Sequence, residues 1–192
     1  MSADVETVVL ASGSPRRREL LGHLGIPFVV RPSEADESYA PDQTPEEIVA
    51  SISRRKALAA QAAPQELVIA ADTMVFLDRA RLGKPRDEAE ALAMLTALQG
   101  RRHTVCTGVT VRRGAQILTE AESTAVWFRP ASEAELRAYI ATGEPMDKAG
   151  AYGIQGLGAL LVERIDGDFY NVMGLPLLRL SRMLAAFGLT LL

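Results

Sequence analysis

Apolar and polar positions along the chain change period several times, and the changes mark its elements. Val8-Val9-Leu10-Ala11 is a short β-type run, and Ser12-Gly13-Ser14-Pro15 follows it as a turn. Ser14 is placed to cap a helix with Pro15 at its first position. Leu20, Leu21 and Leu24 then recur at helical spacing until Gly25, after which Phe28-Val29-Val30 reads as a second strand, so the opening is β-α-β. Thr44-Pro45-Glu46-Glu47 is a capping box, and Ile48, Val49 and Ile52 carry the predicted helix to about Ala63. The nearly continuous apolar run Leu67 to Ala71 meets polar Asp72-Thr73 and resumes as Met74 to Leu77, the pattern of a strand covered on both faces and interrupted by a carboxylate.

Asp87 to Glu90 forms another capping pattern before Ala91, Leu92, Met94, Leu95 and Leu98, and Gly100 supplies the stop. From Thr104 the pattern predicts strands over Val105 to Val111 and Ile117 to Phe128, joined by a turn at Arg112-Arg113-Gly114. Ser132 with Glu135 opens another helix that ends near Gly143. Leu160 to Ile165 and Phe169 to Val172 flank Asp166-Gly167-Asp168 as a predicted hairpin, and Leu175 to Ala186 closes the chain as an amphipathic helix. No repeat or linker intervenes, so the pattern is one α/β domain over 1–192, a mixed twisted sheet flanked by helices.

Composition narrows the classes. The 192 residues can bury a sizeable core, and 48% hydrophobic with 23% charged residues argues against disorder. Twenty-one Lys and Arg against 24 Asp and Glu leave a net charge of −3, which removes the electrostatic case for general nucleic-acid binding. Cys106 is the one cysteine, so no internal disulfide forms, and it reads as a small core residue in a reducing compartment. The acidic start, Met1 to Thr7, is unlike a secretory signal, and no apolar run approaches the roughly 20 residues of a membrane span; a cytoplasmic chain with no membrane partner is expected.

Several residues carry candidate chemistry. Ser12 to Arg18 puts small residues, two hydroxyls and guanidinium groups at a strand-to-helix turn where an anion is favoured, although a capped helix with solvated arginines fits the same pattern. Asp72 is costly to bury unless a cation or water receives it, and strand ends in α/β sheets are where ligands sit; an Asp that caps a turn or pairs with an Arg is the alternative. Glu37 lies in an acidic cluster of the kind that is usually solvated, yet beside Asp72 it could supply a second oxygen ligand for Mg²⁺. The chain uses only three lysines, Lys56, Lys84 and Lys148, and Gly83-Lys84-Pro85 holds one in a rigid bend suited to a phosphate oxygen or to plain solvent. Asp147 to Gly158 contains four glycines between Gly150 and Gly158, a shaped loop that can approach a flat ligand. Gln155 within it can donate and accept, as a pyrimidine edge requires, or bond to backbone. His23 and His103 have no metal-ligand spacing and read as structural.

Together, Leu10-Ala11-Ser12-Gly13-Ser14-Pro15-Arg16-Arg17, Arg55-Lys56-Ala57, Ala71-Asp72-Thr73, Gly83-Lys84-Pro85, His103 to Val109 and the Asp147 to Gly158 loop resemble the Maf family of nucleoside triphosphate pyrophosphatases over nearly the whole chain. The resemblance implies the inosine-triphosphatase-like fold, with a cleft between two lobes. Arg16, Thr73 and Gln155 stand where its subgroups differ, and Asp-Lys-Ala-Gly-Ala-Tyr-Gly-Ile-Gln-Gly is similar to the subgroup acting on dTTP and UTP. CTP and modified pyrimidine nucleotides are further substrates it admits. In the implied reaction water attacks the α-phosphorus and pyrophosphate departs. Asp72 is the implied catalytic group, and Asp72 with Glu37 the implied site for Mg²⁺ or Mn²⁺. Ser12, Ser14, Arg16, Arg17, Lys56, Lys84 and Lys148 would bind the triphosphate side, and Thr73 with Gln155 would select the base. Family likeness also suggests a homodimer and a role in cell-division arrest. The competing readings are a non-catalytic nucleotide sensor acting on septum formation and a pyrophosphatase directed at 7-methyl-GTP.

Overall fold

The computed structural model describes residues 7–192, so the acidic start, apart from Thr7, lies outside the described residues. Thirteen regular elements follow one another: β1 (Val8–Leu10), α1 (Pro15–Gly22), β2 (Phe28–Val30), α2 (Pro45–Ala59), β3 (Leu67–Leu77), β4 (Ala80–Leu82), α3 (Glu88–Leu98), β5 (Arg102–Arg113), β6 (Gln116–Phe128), α4 (Glu133–Ile140), β7 (Val162–Asp166), α5 (Phe169–Met173) and α6 (Leu177–Ala185). The strands form one sheet in the order β2-β1-β3-β5-β6-β7, with β4 paired to β3. It is mixed, as the sequence predicts: β1 runs parallel to β2 and to β3, whereas β3 with β4 and β6 with β7 are antiparallel. Among the described residues no helix is long and apolar enough to cross a membrane.

Capping chemistry sets most helix starts where the sequence puts them. Ser14 Oγ accepts from Arg17 N ahead of Pro15, Thr44 and Ser132 each form a complete capping box, and Asp87 accepts from Glu90 N. The end of α2 differs. The helix stops at Ala59 rather than near Ala63, because Arg112 donates from Nε to Ala57 O at 3.0 Å and from an Nη to Ala60 O at 3.4 Å, which satisfies carbonyls of its last turn. Asp72 does not break its strand: β3 is continuous over 11 residues with the carboxylate inside it.

The predicted hairpin around Asp166-Gly167-Asp168 does not form. Val162–Asp166 pairs with β6, Leu160 and Leu161 end a 3-10 turn, and Phe169–Met173 is helical. Local capping overrides the β-type composition here, since the Asp168 carboxylate accepts from Tyr170 N at 2.7 Å and Asn171 N at 3.3 Å. The turn between β5 and β6 is the two residues Gly114 and Ala115, with Arg112 and Arg113 completing the strand.

The chain divides into two compact units, Met1–Asp72 with Thr107–Glu122 and Gly174–Leu192, and Thr73–Cys106 with Ser123–Met173. In the first, α2 lies directly on β5. Ser53 Oγ and Thr110 Oγ1 are 3.0 Å apart, and a Cβ built at Gly108 would stand 2.1 Å from Val49 O. In the second, Leu95, Leu98, Val126, Phe128 and Leu136 form the centre of an apolar core. Cys106 is buried there with Sγ 3.1 Å from Ser123 Oγ.

His103, 2% exposed, belongs to that second core. Its ring meets Phe128 and Tyr152 edge-on, and Nε2 lies 2.8 Å from Tyr152 Oη. Burial, with a smaller contribution from Arg102, lowers its pKa to about 4. Because the folded value lies below the unfolded one, near 6.5, the contribution to stability is fully present above pH 6.5 and is lost as pH falls toward 4. Over that window the parent should lose roughly 3 kcal/mol that a His103→Asn protein does not lose. Urea unfolding at several pH values checks it; parallel stability profiles would remove His103 from the acid response.

Candidate active site

The Ser12 to Arg17 turn is built by its own side chains. Ser12, 8% exposed, accepts from Ser14 N at 3.2 Å and from an Arg17 Nη at 3.3 Å. The turn therefore points serine oxygens inward and leaves Gly13 exposed at the helix entrance. Arg17 also donates through Nε to Gly174 O at 2.9 Å. Burial lowers the Arg17 pKa; Asp72 works against that shift, Arg16 adds to it and Glu37 opposes it. Arg16 and Arg17 are half-buried, while Arg18 is exposed. Gly174 is a contributor the sequence reading passed over, because a carbonyl ligand carries no residue-type signal.

Asp72 is 6% exposed in the middle of β3. Its Oδ1 accepts from Lys56 Nζ at 2.7 Å, and the same ammonium is 2.7 Å from Glu37 Oε1. Lys56 reaches them from the last turn of α2, its side chain only 15% exposed. Asp72 Oδ2 is buried and has no hydrogen-bond partner among the described residues. A buried carboxylate oxygen left that way is costly unless the site receives a proton donor or a cation. The first unit thus brings together Ser12, Ser14, Arg16, Arg17, Glu37, Lys56 and Asp72, with Asp72 hydrogen-bonded to Lys56 and its charge also acting on Arg17.

The donor set suits a hard divalent cation in one respect: two carboxylates converge on a single cationic point and one oxygen is unsatisfied. Among the described residues no group of three or more His, Cys, Asp or Glu is placed to hold a metal, so other ligands would have to come from phosphate oxygens and water.

The remaining candidates belong to the second unit. Thr73 is half-buried and follows Asp72 in β3, so strand alternation directs it to the opposite face. Lys84 is exposed, and its bend is tied to the glycine-rich loop by Gly150 N donating to Gly83 O at 3.0 Å. Lys148 spends two of its three donors inside the loop, on Glu144 O at 2.5 Å and Asp147 Oδ1 at 2.7 Å. Gln155 is half-buried, and its Oε1 is buried with no hydrogen-bond partner among the described residues. The loop contains Ala151 at φ 58°, a left-handed conformation that costs a non-glycine residue about 1 kcal/mol or more. Its geometry is therefore imposed by surrounding bonds.

Comparison with known proteins bears on this arrangement. A dTTP/UTP pyrophosphatase of Symbiobacterium thermophilum is 50% identical over 185 residues, covering 96% of this chain and 95% of that protein. One from Salinibacter ruber is 52% identical over 183 residues, covering 93% and 90%. The solved structure of a nucleoside-triphosphatase, or dITP/XTP pyrophosphatase, from Mycobacterium abscessus aligns over 94% of this chain and 98% of its own at 12% identity, with a TM-score of 0.44. The family model described as Maf-like protein matches residues 7–187, which include every residue singled out above, and the chain belongs to the Maf family.

Proposed function

We propose that this chain is a nucleoside triphosphate pyrophosphatase that hydrolyses dTTP and UTP to the monophosphate and pyrophosphate. Relatives at about 50% identity over nearly their full lengths bear that activity in their names. The observation that carries the chemistry is Asp72: a buried carboxylate with one oxygen on Lys56 and the other unsatisfied. That second oxygen is the proton acceptor for a water attacking the α-phosphorus in line with the departing diphosphate. Lys56 holds the Asp72 carboxylate in place at 2.7 Å. The Ser12 to Ser14 turn leads into the N-terminus of α1, whose dipole favours an anion, and Arg16 and Arg17 place guanidinium charge beside it. Lys84 and the remaining donor of Lys148 supply further cationic contacts. A divalent cation, Mg²⁺ or Mn²⁺, held by Asp72 and Glu37 would supply Lewis-acid neutralisation of phosphate charge.

Base selection falls to Gln155, with Thr73 the second residue assigned to it. Thymine and uracil present a donor, N3–H, between two carbonyl acceptors, and the unsatisfied Gln155 Oε1 with its own amide N–H is complementary to part of that edge. Gln155→Glu removes the donor and sets a charge against a carbonyl oxygen. Its kcat/KM for dTTP is expected to fall about 10- to 100-fold, with the metal requirement retained. Equal losses for pyrimidine and purine triphosphates would place Gln155 at the phosphates instead.

The overall reading is tested by incubating dTTP with the protein and Mg²⁺ or Mn²⁺ and resolving products by phosphorus NMR. Pyrophosphate and dTMP are expected. Binding without turnover would favour the sensor, and single phosphate release would refute the bond assignment.

A further inference from the structure

Gln155 stands on a loop that closes on itself. A Cβ built at Gly158 would lie 2.2 Å from Gly153 O and 2.6 Å from Tyr139 Oη, so the two glycine backbones approach as closely as any side chain would forbid. Between them the chain runs out through Ile154 and Gln155 and back through Gly156 and Leu157. Two side chains outside the loop fasten its two ends. Tyr139, 6% exposed on α4, accepts from Gly153 N at 3.2 Å and donates to Glu144 Oε1 at 2.9 Å. Glu144 in turn accepts from Gly158 N at 3.0 Å through Oε1 and from Leu157 N at 2.9 Å through Oε2.

The chemistry of this fastening is specific. Burial disfavours the Glu144 charge, but the amides of Gly158 and Leu157, the Tyr139 hydroxyl and Lys148 outweigh it and hold its pKa below the usual range. A carboxylate is required, because three donors converge on two oxygens and a neutral amide offers only one acceptor. Neither residue is among the groups assigned to phosphate, metal or base. Their bonds end on the residues flanking Gln155 on both sides.

We infer that Tyr139 and Glu144 are specificity-positioning residues, which hold Gly153, Leu157 and Gly158 so that the Gln155 amide meets a pyrimidine edge in a fixed orientation. This rests on the reading of Gln155 as the base-selecting group. Adenine presents an acceptor, N1, beside a donor, N6–H, the reverse of the thymine N3–H and O4 pair, so it gains nothing from that orientation; a loosened loop therefore costs the pyrimidine more.

The test is steady-state kinetics on dTTP and dATP for Tyr139→Phe, Glu144→Gln, Glu144→Asp, Gln155→Ala and the double variant Tyr139→Phe/Gln155→Ala. Tyr139→Phe keeps the ring in the core and Glu144→Gln keeps the shape, and thermal melts verify folding. In Tyr139→Phe and Glu144→Gln, kcat/KM for dTTP should fall about 10-fold, chiefly through KM, and the preference for dTTP over dATP should narrow accordingly. Glu144→Asp, which keeps the charge, should recover part of the preference. The double variant should be no less selective than Gln155→Ala, since both changes act through one amide. Effects that multiply, or a kcat loss shared equally by both nucleotides, would overturn the inference. If Gln155→Ala narrows the preference and the two loop variants do not, the positioning role alone fails. If Gln155→Ala leaves the preference intact, the base-selecting role fails and this inference with it.

Discussion

Asp72→Asn is expected to fold like the parent and to hydrolyse dTTP about 10²- to 10⁴-fold more slowly, the usual cost of removing a positioned base. The substitution keeps the shape of a side chain that is 6% exposed inside β3, so the core around it is not emptied. It removes the charge that Lys56 shares between Asp72 and Glu37, but Lys56 retains Glu37 at 2.7 Å and is not left as an unpaired buried cation. The loss should therefore appear in kcat, with a melting temperature close to that of the parent. Quenched-flow or coupled pyrophosphate assays measure the first and calorimetry the second. Full dTTP hydrolysis by the Asn protein would sink the assignment of Asp72, whereas a collapsed melting transition would show that the carboxylate holds the strand rather than the water.

Gly108→Ala should unfold the first unit. The added methyl carbon would lie 2.1 Å from Val49 O and 2.3 Å from Val49 C, both backbone atoms of α2, so no rotamer change can relieve the overlap. Helix and strand must separate, and overpacking against backbone is expected to cost about 3 kcal/mol or more. Relief by separation would also stretch the Ser53 to Thr110 contact at 3.0 Å and draw Lys56, on the same helix, from Asp72. Activity should thus fall with stability. Denaturant unfolding checks it, and an Ala protein of parental stability would mean that α2 can shift without resistance.

How much of this was legible beforehand depends on the range of the interaction. Ser14, Thr44, Asp87 and Ser132 start their helices because a capping side chain and the amide it serves lie within three residues. The unusual placement of Asp72 was also visible, since a carboxylate amid apolar residues has a cost that does not depend on the fold. Residues 169–172 were misread as a strand: their β-type composition was plain, and the Asp168 cap that makes them helical was outweighed by the apparent Asp-Gly turn. The early stop of α2 could not be read at all, because Arg112 caps it from 52 to 55 positions away.

The sequence by itself determined the alternation of strands and helices, the mixed sheet, the family motifs and the residue types available for chemistry, all from patterns within one element or one turn. Tertiary structure alone decided that Lys56 would bridge Glu37 and Asp72, that Gly174 would hold Arg17, and that Tyr139 and Glu144 would fasten the loop bearing Gln155. Each of these rests on atoms brought within hydrogen-bond reach by packing of separate segments. A hydrogen bond is decided by angstroms between atoms, and a single chain of letters specifies those distances only once its apolar faces have found one another.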